Sequence, residues 1–147
     1  MNLSTNGYNL IKSFEGIRNN AYLDSINIPT IGIGFTHING QPVKLGMTMT
    51  DDQIEQEFFK EIPTYVECVN KLVTATISQN QFDSLVSFVF NLGCNSLASS
   101  TLLKKVNVNS CDKSIAQEFT KWDKAGGKVI QGLLYRRMKE AQNYFKP

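Results

Sequence analysis

One stretch limits the fold more than any other. From Phe82 to Leu92 the chain is apolar nearly all round a helical circumference, and it stops at Gly93. A helix without a polar face has to be buried, with other helices packed about it. Ser78 and Gln81 form a capping box at its start. The partners it needs begin at Thr50. Thr50 and Gln53 make a second capping box, followed by Ile54, Phe58 and Ile62 at spacing four. Pro63 is expected to bend or end that helix, which resumes through Tyr65, Val66 and Val69. Shorter helices are expected at about Ser99 to Val106 and Asp112 to Trp122, and a last one at about Gly132 to Phe145.

Before residue 48 the chain has a different character. Ser4 and Thr5 are N-cap candidates, Leu10, Ile11 and Phe14 share a helical face, and Gly16 is a stop. These signals predict a helix over about Asn6 to Glu15. From Ala21 to Phe35, β-branched and apolar residues flank the turn formers Asp24, Ser25 and Asn27, which predicts a hairpin. A loop containing Asn39-Gly40 and Gly46 follows. The expected fold class is α+β, mostly α. A small hairpin lobe covers about 15–50, and a larger helical lobe covers about 51–147 plus the N-terminal helix, with a cleft at their junction. At 147 residues, both belong to a single domain.

Composition excludes whole classes. A chain that is 41% hydrophobic and 10% aromatic with a net charge of +2 is not a disordered tail. No run approaches the roughly 20 apolar residues of a membrane span, and Met1 to Tyr8 lacks the pattern of a secretory signal. Charge is uneven. Asp51 to Glu67 holds six acids and one base, whereas Lys121 to Pro147 holds seven bases and two acids. The cationic end could meet an anionic polymer, although charge alone favours a solvated helix face. Of three cysteines, Cys68, Cys94 and Cys111, not all can pair within the chain, and the spacing fits no zinc pattern. Cys68 and Cys94 lie among apolar neighbours and are expected as reduced core thiols of a protein made in a reducing cytosol.

The sequence has no phosphate loop, and Gly32-x-Gly34 lacks the third glycine of a dinucleotide site. His37 is the single histidine, so neither a zinc cage nor any other metal site is expected. Carboxylates remain. Glu15 lies in the last turn of the first helix, beside Phe14, and Asp24 lies in the hairpin turn. A helix C-terminus and an apolar neighbour both favour a proton-bearing Glu. Free turn amides favour an ionised Asp. Two carboxyls driven apart in this way carry the signature of an acid/base pair, although most such groups on short helices and turns are solvated surface carboxylates.

Glu15, eight intervening residues, Asp24, five more, then Thr30 within Pro29-Thr30-Ile31-Gly32-Ile33-Gly34 resembles the catalytic signature of the phage-type lysozymes, glycoside hydrolase family 24. Phe14-Glu15-Gly16, Gly46 to Thr50, Asn80 to Leu85, Phe90 to Gly93, Ser99 to Leu103, Trp122 to Gly127 and Gly132 to Arg137 follow in the family's order. The resemblance implies a two-lobe fold and a muramidase that cleaves the β-1,4 bond between N-acetylmuramic acid and N-acetylglucosamine in peptidoglycan. It implies Glu15 as general acid, Asp24 as the carboxylate that activates water, and Thr30 as the hydroxyl that helps hold that water. The family's inverting outcome implies carboxyls roughly 6.5–9.5 Å apart. Phe90 and Ser100 match cleft-lining positions, and Arg136 or Arg137 matches a basic residue that approaches the acid. No cofactor is implied. The expected setting is an endolysin, monomeric and without nucleic-acid or stable membrane partners. It would be made in the host cytoplasm and reach the wall through a lesion made by a holin. One departure stands out: Phe35 occupies the position after Gly-x-Gly where the family has His, and His37 lies two residues on.

Two other classes fit less well. A lytic transglycosylase on the same fold needs no water-activating Asp, and a non-catalytic wall-binding relative needs none of the three residues. A DNA-binding helix would have only Arg136, Arg137 and Lys139, against the acidic stretch from Asp51 to Glu67.

Overall fold

A computed structural model describes residues 1–147. The elements are α1 (Thr5–Glu15), β1 (Arg18–Leu23), β2 (Pro29–Gly32), β3 (His37–Ile38), β4 (Gln41–Pro42), α2 (Asp51–Leu72), α3 (Gln79–Leu92), α4 (Cys94–Ala98), α5 (Thr101–Val108), α6 (Ile115–Thr120), β5 (Lys124–Ala125), β6 (Lys128–Val129) and α7 (Gln131–Tyr144). The protein is mostly helical, with three separate antiparallel strand pairs. Two compact units share the chain. One is Leu10–Pro63, and the other is Met1–Asn9 with Thr64–Pro147.

The Leu10–Pro63 unit carries the hairpin. β1 pairs with β2 antiparallel, with Tyr22 opposite Thr30 and Leu23 opposite Pro29, and the register shifts before Arg18 meets Gly32. Asn39 and Gly40, both left-handed (φ 52° and 77°), close a second, two-residue hairpin of β3 and β4 where a loop was expected. An Asn-Gly pair is well suited to that turn. The unit buries Ile11, Ile31, Ile33, Phe35, Val43, Ile54, Phe58 and Ile62.

The other unit is built round α3, as its all-apolar circumference requires. Every residue from Gln81 to Val89 is buried. Both halves of the Ser78/Gln81 capping box are formed, and Gly93 (φ 89°) ends the helix. Phe88 meets Phe119 and Trp122 edge-on, with ring centroids 6.0 and 5.5 Å apart. At its N-terminus, Ser4 donates its backbone N–H and its hydroxyl to the buried Asp83 carboxylate, and it also caps Gly7.

Helix α2 runs through Pro63 without a break. Proline costs a helix interior about 3 kcal/mol. Burying Ile54, Phe58, Ile62 and, beyond the proline, Val69 gains roughly 1.5–3 kcal/mol each and prevails. Helix α6 is shorter than expected. Asn109 Oδ1 takes the Cys111 amide and Asp112 Oδ1 the Ser114 amide, holding the preceding chain in Asx turns.

The expectation of reduced thiols is corrected. Cys68 of α2 and Cys94 of α4 form a disulfide, while Cys111 is free and exposed.

Candidate active site

All three residues of the expected acid/base constellation lie in the Leu10–Pro63 unit. Glu15 is the last residue of α1 and is half-buried. The helix stops there because Gly16 turns left-handed (φ 70°) and returns its N–H to the Lys12 carbonyl. A side-chain carbon at Gly34 would stand 3.9 Å from Glu15 Oε2. The Glu15 carboxylate therefore stands over the tight turn that follows β2. That turn is closed by two bonds of 2.9 Å between Ile31 and Phe35, one in each direction. It needs Gly32 and Gly34, both left-handed, and the Phe35 ring lies so close to Gly32 that a Cβ there would sit 2.6 Å from it.

Asp24 begins the hairpin turn. Its Oδ1 accepts the backbone N–H groups of Ile26 and Ile28, each at 2.9 Å. Its own N–H donates to the Ile28 carbonyl at 3.0 Å, and Asn27, left-handed at φ 61°, returns its N–H to the Asp24 carbonyl. One carboxylate oxygen is thus fixed by two donors, and Oδ2 takes no part in the clamp. Thr30, buried in β2, donates its hydroxyl to the same Ile28 carbonyl at 2.8 Å. Having given up its only proton, that hydroxyl can meet any further partner only as an acceptor.

Phe35 is buried on Gly32, whereas His37 is exposed in β3, with Nδ1 3.1 Å from Thr36 Oγ1.

The remaining expected residues belong to the other unit. Phe90 packs edge-on against Tyr65, centroids 5.1 Å apart. Ser100 is the N-cap of α5: its hydroxyl accepts the Leu103 N–H and donates to the Leu97 carbonyl. Arg136 and Arg137 are not a solvated face. Both are buried on either side of Glu140, which is itself inaccessible. Arg137 Nε lies 2.8 Å from Glu140 Oε1, and Arg137 Nη2 donates to Asn91 Oδ1 at 2.7 Å. Arg136 reaches Glu140 Oε2 at 3.4 Å and the Ser87 carbonyl at 3.1 Å. Burial pushes the Glu140 carboxyl above its ordinary range, opposed by the two guanidinium charges and the Ser87 hydroxyl.

The turn amides expected around Asp24 are those of Ile26 and Ile28, whereas the Glu140 anchor was missed. The spacing of Glu140, three and four residues after the two arginines, was the available signal. No group of His, Cys, Asp and Glu side chains is gathered to hold a metal ion.

With this geometry in place, comparison with known proteins is decisive. The model of the family described as phage lysozyme matches residues 12–140.

The chain belongs to the phage lysozyme family.

It is 41% identical over 142 residues to the endolysin of Salmonella phage P22, covering 95% of each chain. It is also 41% identical over 140 residues to the endolysin of Bacillus phage B103. That alignment takes in 95% of this chain but only 52% of the relative, so the chain spans about half the length of that phage lysozyme relative. Among solved structures, the endolysin of Escherichia coli O157:H7 phage FAHEc1 superposes with a TM-score of 0.93 at 39% identity, covering 99% of this chain and 94% of the other. The fold is that of the phage lysozymes. No helix is long and apolar enough to cross a membrane.

Proposed function

We propose that this phage lysozyme family member is an endolysin-type muramidase. It hydrolyses the β-1,4 bond between N-acetylmuramic acid and N-acetylglucosamine in peptidoglycan by an inverting, single-displacement route. The observation that carries the reading is the two-amide clamp on Asp24, set one strand pair away from Thr30. A water that gives one proton to the Asp24 carboxylate and the other to the Thr30 hydroxyl has an oxygen lone pair left for the anomeric carbon. Asp24 takes up the water's proton as the C–O bond forms, and its charge offsets the cationic sugar ring. Glu15 gives its proton to the departing glycosidic oxygen, so the leaving sugar departs as an alcohol.

The same reading makes the protein a monomer, synthesised in the host cytoplasm and acting on the wall after a holin opens the way. The endolysin names of its relatives support action on the cell wall.

The test is digestion of purified peptidoglycan with identification of the new sugar ends. Free reducing ends, formed initially as the α anomer, are expected, and Glu15→Gln is expected to remove them while melting as cooperatively as the parent. Ends in the 1,6-anhydro form would establish a lytic transglycosylase instead.

A further inference from the structure

A cavity of about 330 Å³ opens between the second hairpin and α2, within the Leu10–Pro63 unit, and it shares no residue with Glu15, Asp24 and Thr30. Its walls are held in place by the fold. Asn39, on one side, sits in the left-handed turn between β3 and β4. On another side, the Met47–Met49 segment is tied to β1. The Ala21 N–H donates to the Met47 carbonyl at 3.0 Å, and the Met49 N–H donates to the Asn19 carbonyl at 2.8 Å. Gln53, Gln56, Glu57 and Lys60 complete the lining from one face of α2. Most of the polar side chains here are uncommitted. Those of Asn39, Thr48 and Gln56 make no hydrogen bond within the protein, and Gln53 uses only its carbonyl oxygen, on the Thr50 N–H. Glu57 is 7% exposed, yet its carboxylate accepts no hydrogen bond, and its ion pair with Lys60 is 3.7 Å long. A carboxylate buried to this degree normally gathers donors from the fold. This one lines a cavity instead.

We propose that this cavity is a second, non-catalytic carbohydrate site, which takes a sugar ring of the wall glycan other than the two joined by the scissile bond. The identity of the polymer rests on the muramidase reading above. The class of ligand follows from the lining. Its one acid and one base offset each other, so an ion of either sign gains little by entering. Free amides, a hydroxyl and a carboxylate suit a neutral molecule with several donors and acceptors, and Ile38, Met47 and Met49 suit an apolar face on that molecule. A pyranose has both, with hydroxyls round its edge and C–H groups on its faces. The volume is at the small end of the roughly 300–1,000 Å³ of ligand sites, which fits one ring rather than a chain. A second hollow adjoins the first. It shares Gln56 and Lys60 and carries Phe59, 42% exposed, whose ring offers a surface for the next sugar. Two footholds on one polymer keep the enzyme on the wall between cleavages.

The experiment titrates Glu15→Gln, in which binding is not followed by cleavage, with short soluble glycan strands freed of stem peptides, and follows the protein by NMR. The side-chain NH2 signals of Gln53 and Gln56 report the cavity, and the Ile26 and Ile28 N–H signals report the Asp24 turn. Both sets are expected to move and to saturate. Adding Gln56→Ala and Glu57→Gln is expected to raise the Kd read at Gln53 roughly tenfold, while the Kd read at Ile28 changes less than about twofold. The unchanged Ile28 response also shows that the variant is folded. Strands that move Ile28 but leave Gln53 and Gln56 where they were overturn the inference and leave the muramidase reading standing. A Gln53 response that survives the two substitutions undiminished overturns it as well. Strands that move neither set overturn both readings.

Discussion

Asp24 and Ile28 hold one another at both ends. The Ile28 N–H donates to the Asp24 carboxylate at 2.9 Å, and the Asp24 N–H donates to the Ile28 carbonyl at 3.0 Å. That carbonyl also takes the Thr30 hydroxyl, so the backbone of one residue, Ile28, fixes both groups proposed to hold the attacking water. Asparagine at position 24 keeps an oxygen for the Ile26 and Ile28 amides but cannot take up a proton. Asp24→Asn is therefore expected to lower turnover on purified peptidoglycan by about 10²-fold or more with no change in melting temperature. Asp24→Ala loses the clamp as well. Hydrogen exchange at the Ile26 and Ile28 amides, slow in the parent and in Asp24→Asn, becomes fast in Asp24→Ala. Equal exchange in all three would show that the carboxylate does not hold the turn.

What could be read from the residues alone follows from how much signal each feature leaves in the sequence. Helix α3 was legible because its apolar circumference and its capping box state the same thing twice. Glu15, Asp24 and Thr30 were picked out together by resemblance to the family's signature, and they fall on the helix end, the turn and the strand expected of them. The strand pairs β3–β4 and β5–β6 were not, because two residues are too few to show alternation. The burial of Arg136 and Arg137 was hidden because a count of charges assigns them to water, whereas a single carboxylate, Glu140, makes the interior tolerable. The disulfide was hidden because a separation of 26 residues does not reveal a Cα–Cα distance of 6.0 Å.

Gly7 permits the close approach of α1 and α3. A Cβ there would lie 2.5 Å from Leu3 Cδ1 and 2.7 Å from Asp83 Cγ, and Asp83 is held by the Ser4 backbone and by Gln79 Nε2. In an open helix Gly→Ala is favourable by up to about 1 kcal/mol. Here the overlap reverses the sign, and Gly7→Ala is expected to destabilise by about 1–3 kcal/mol. Denaturant titration measures it. A gain in stability would mean that the Ser4–Asp83 contact gives way easily.

Glu61 supplies a pH dependence of unusual sign. Burial first, and the charge of Glu57 one turn earlier second, raise its pKa above 4.5. The folded state then binds the proton more readily than the unfolded chain does. Stability from this group is fully present below pH 4.5 and is lost as pH rises through the folded-state value. Glu61→Gln is expected to melt higher than the parent at pH 7. The gain is on the order of a few tenths of a kcal/mol, because the site is partly solvated. The advantage shrinks to nothing as pH falls toward 4. A constant advantage across that range would show that the proton is not the cause.

The Cys68–Cys94 bond closes a loop within the Thr64–Pro147 part of the chain, its partners separated by 26 positions in sequence. In the chain-entropy picture, tying a loop of that length removes about 3 kcal/mol of freedom from the unfolded state. For a protein of this size that corresponds to a Tm lower by about 10 °C once the bond is cut. Cys94 is exposed, so a small phosphine reaches it without prior unfolding. Reduction and Cys94→Ser are expected to lower Tm by the same amount, with no further loss when reductant is added to the variant. Cys111→Ser is expected to leave the sensitivity to reductant as it was, since Cys111 stands outside the bond. If the parent melted at the same temperature with and without reductant, the loop would already be held by the packing of α3 and α7, and the bond would contribute nothing to stability.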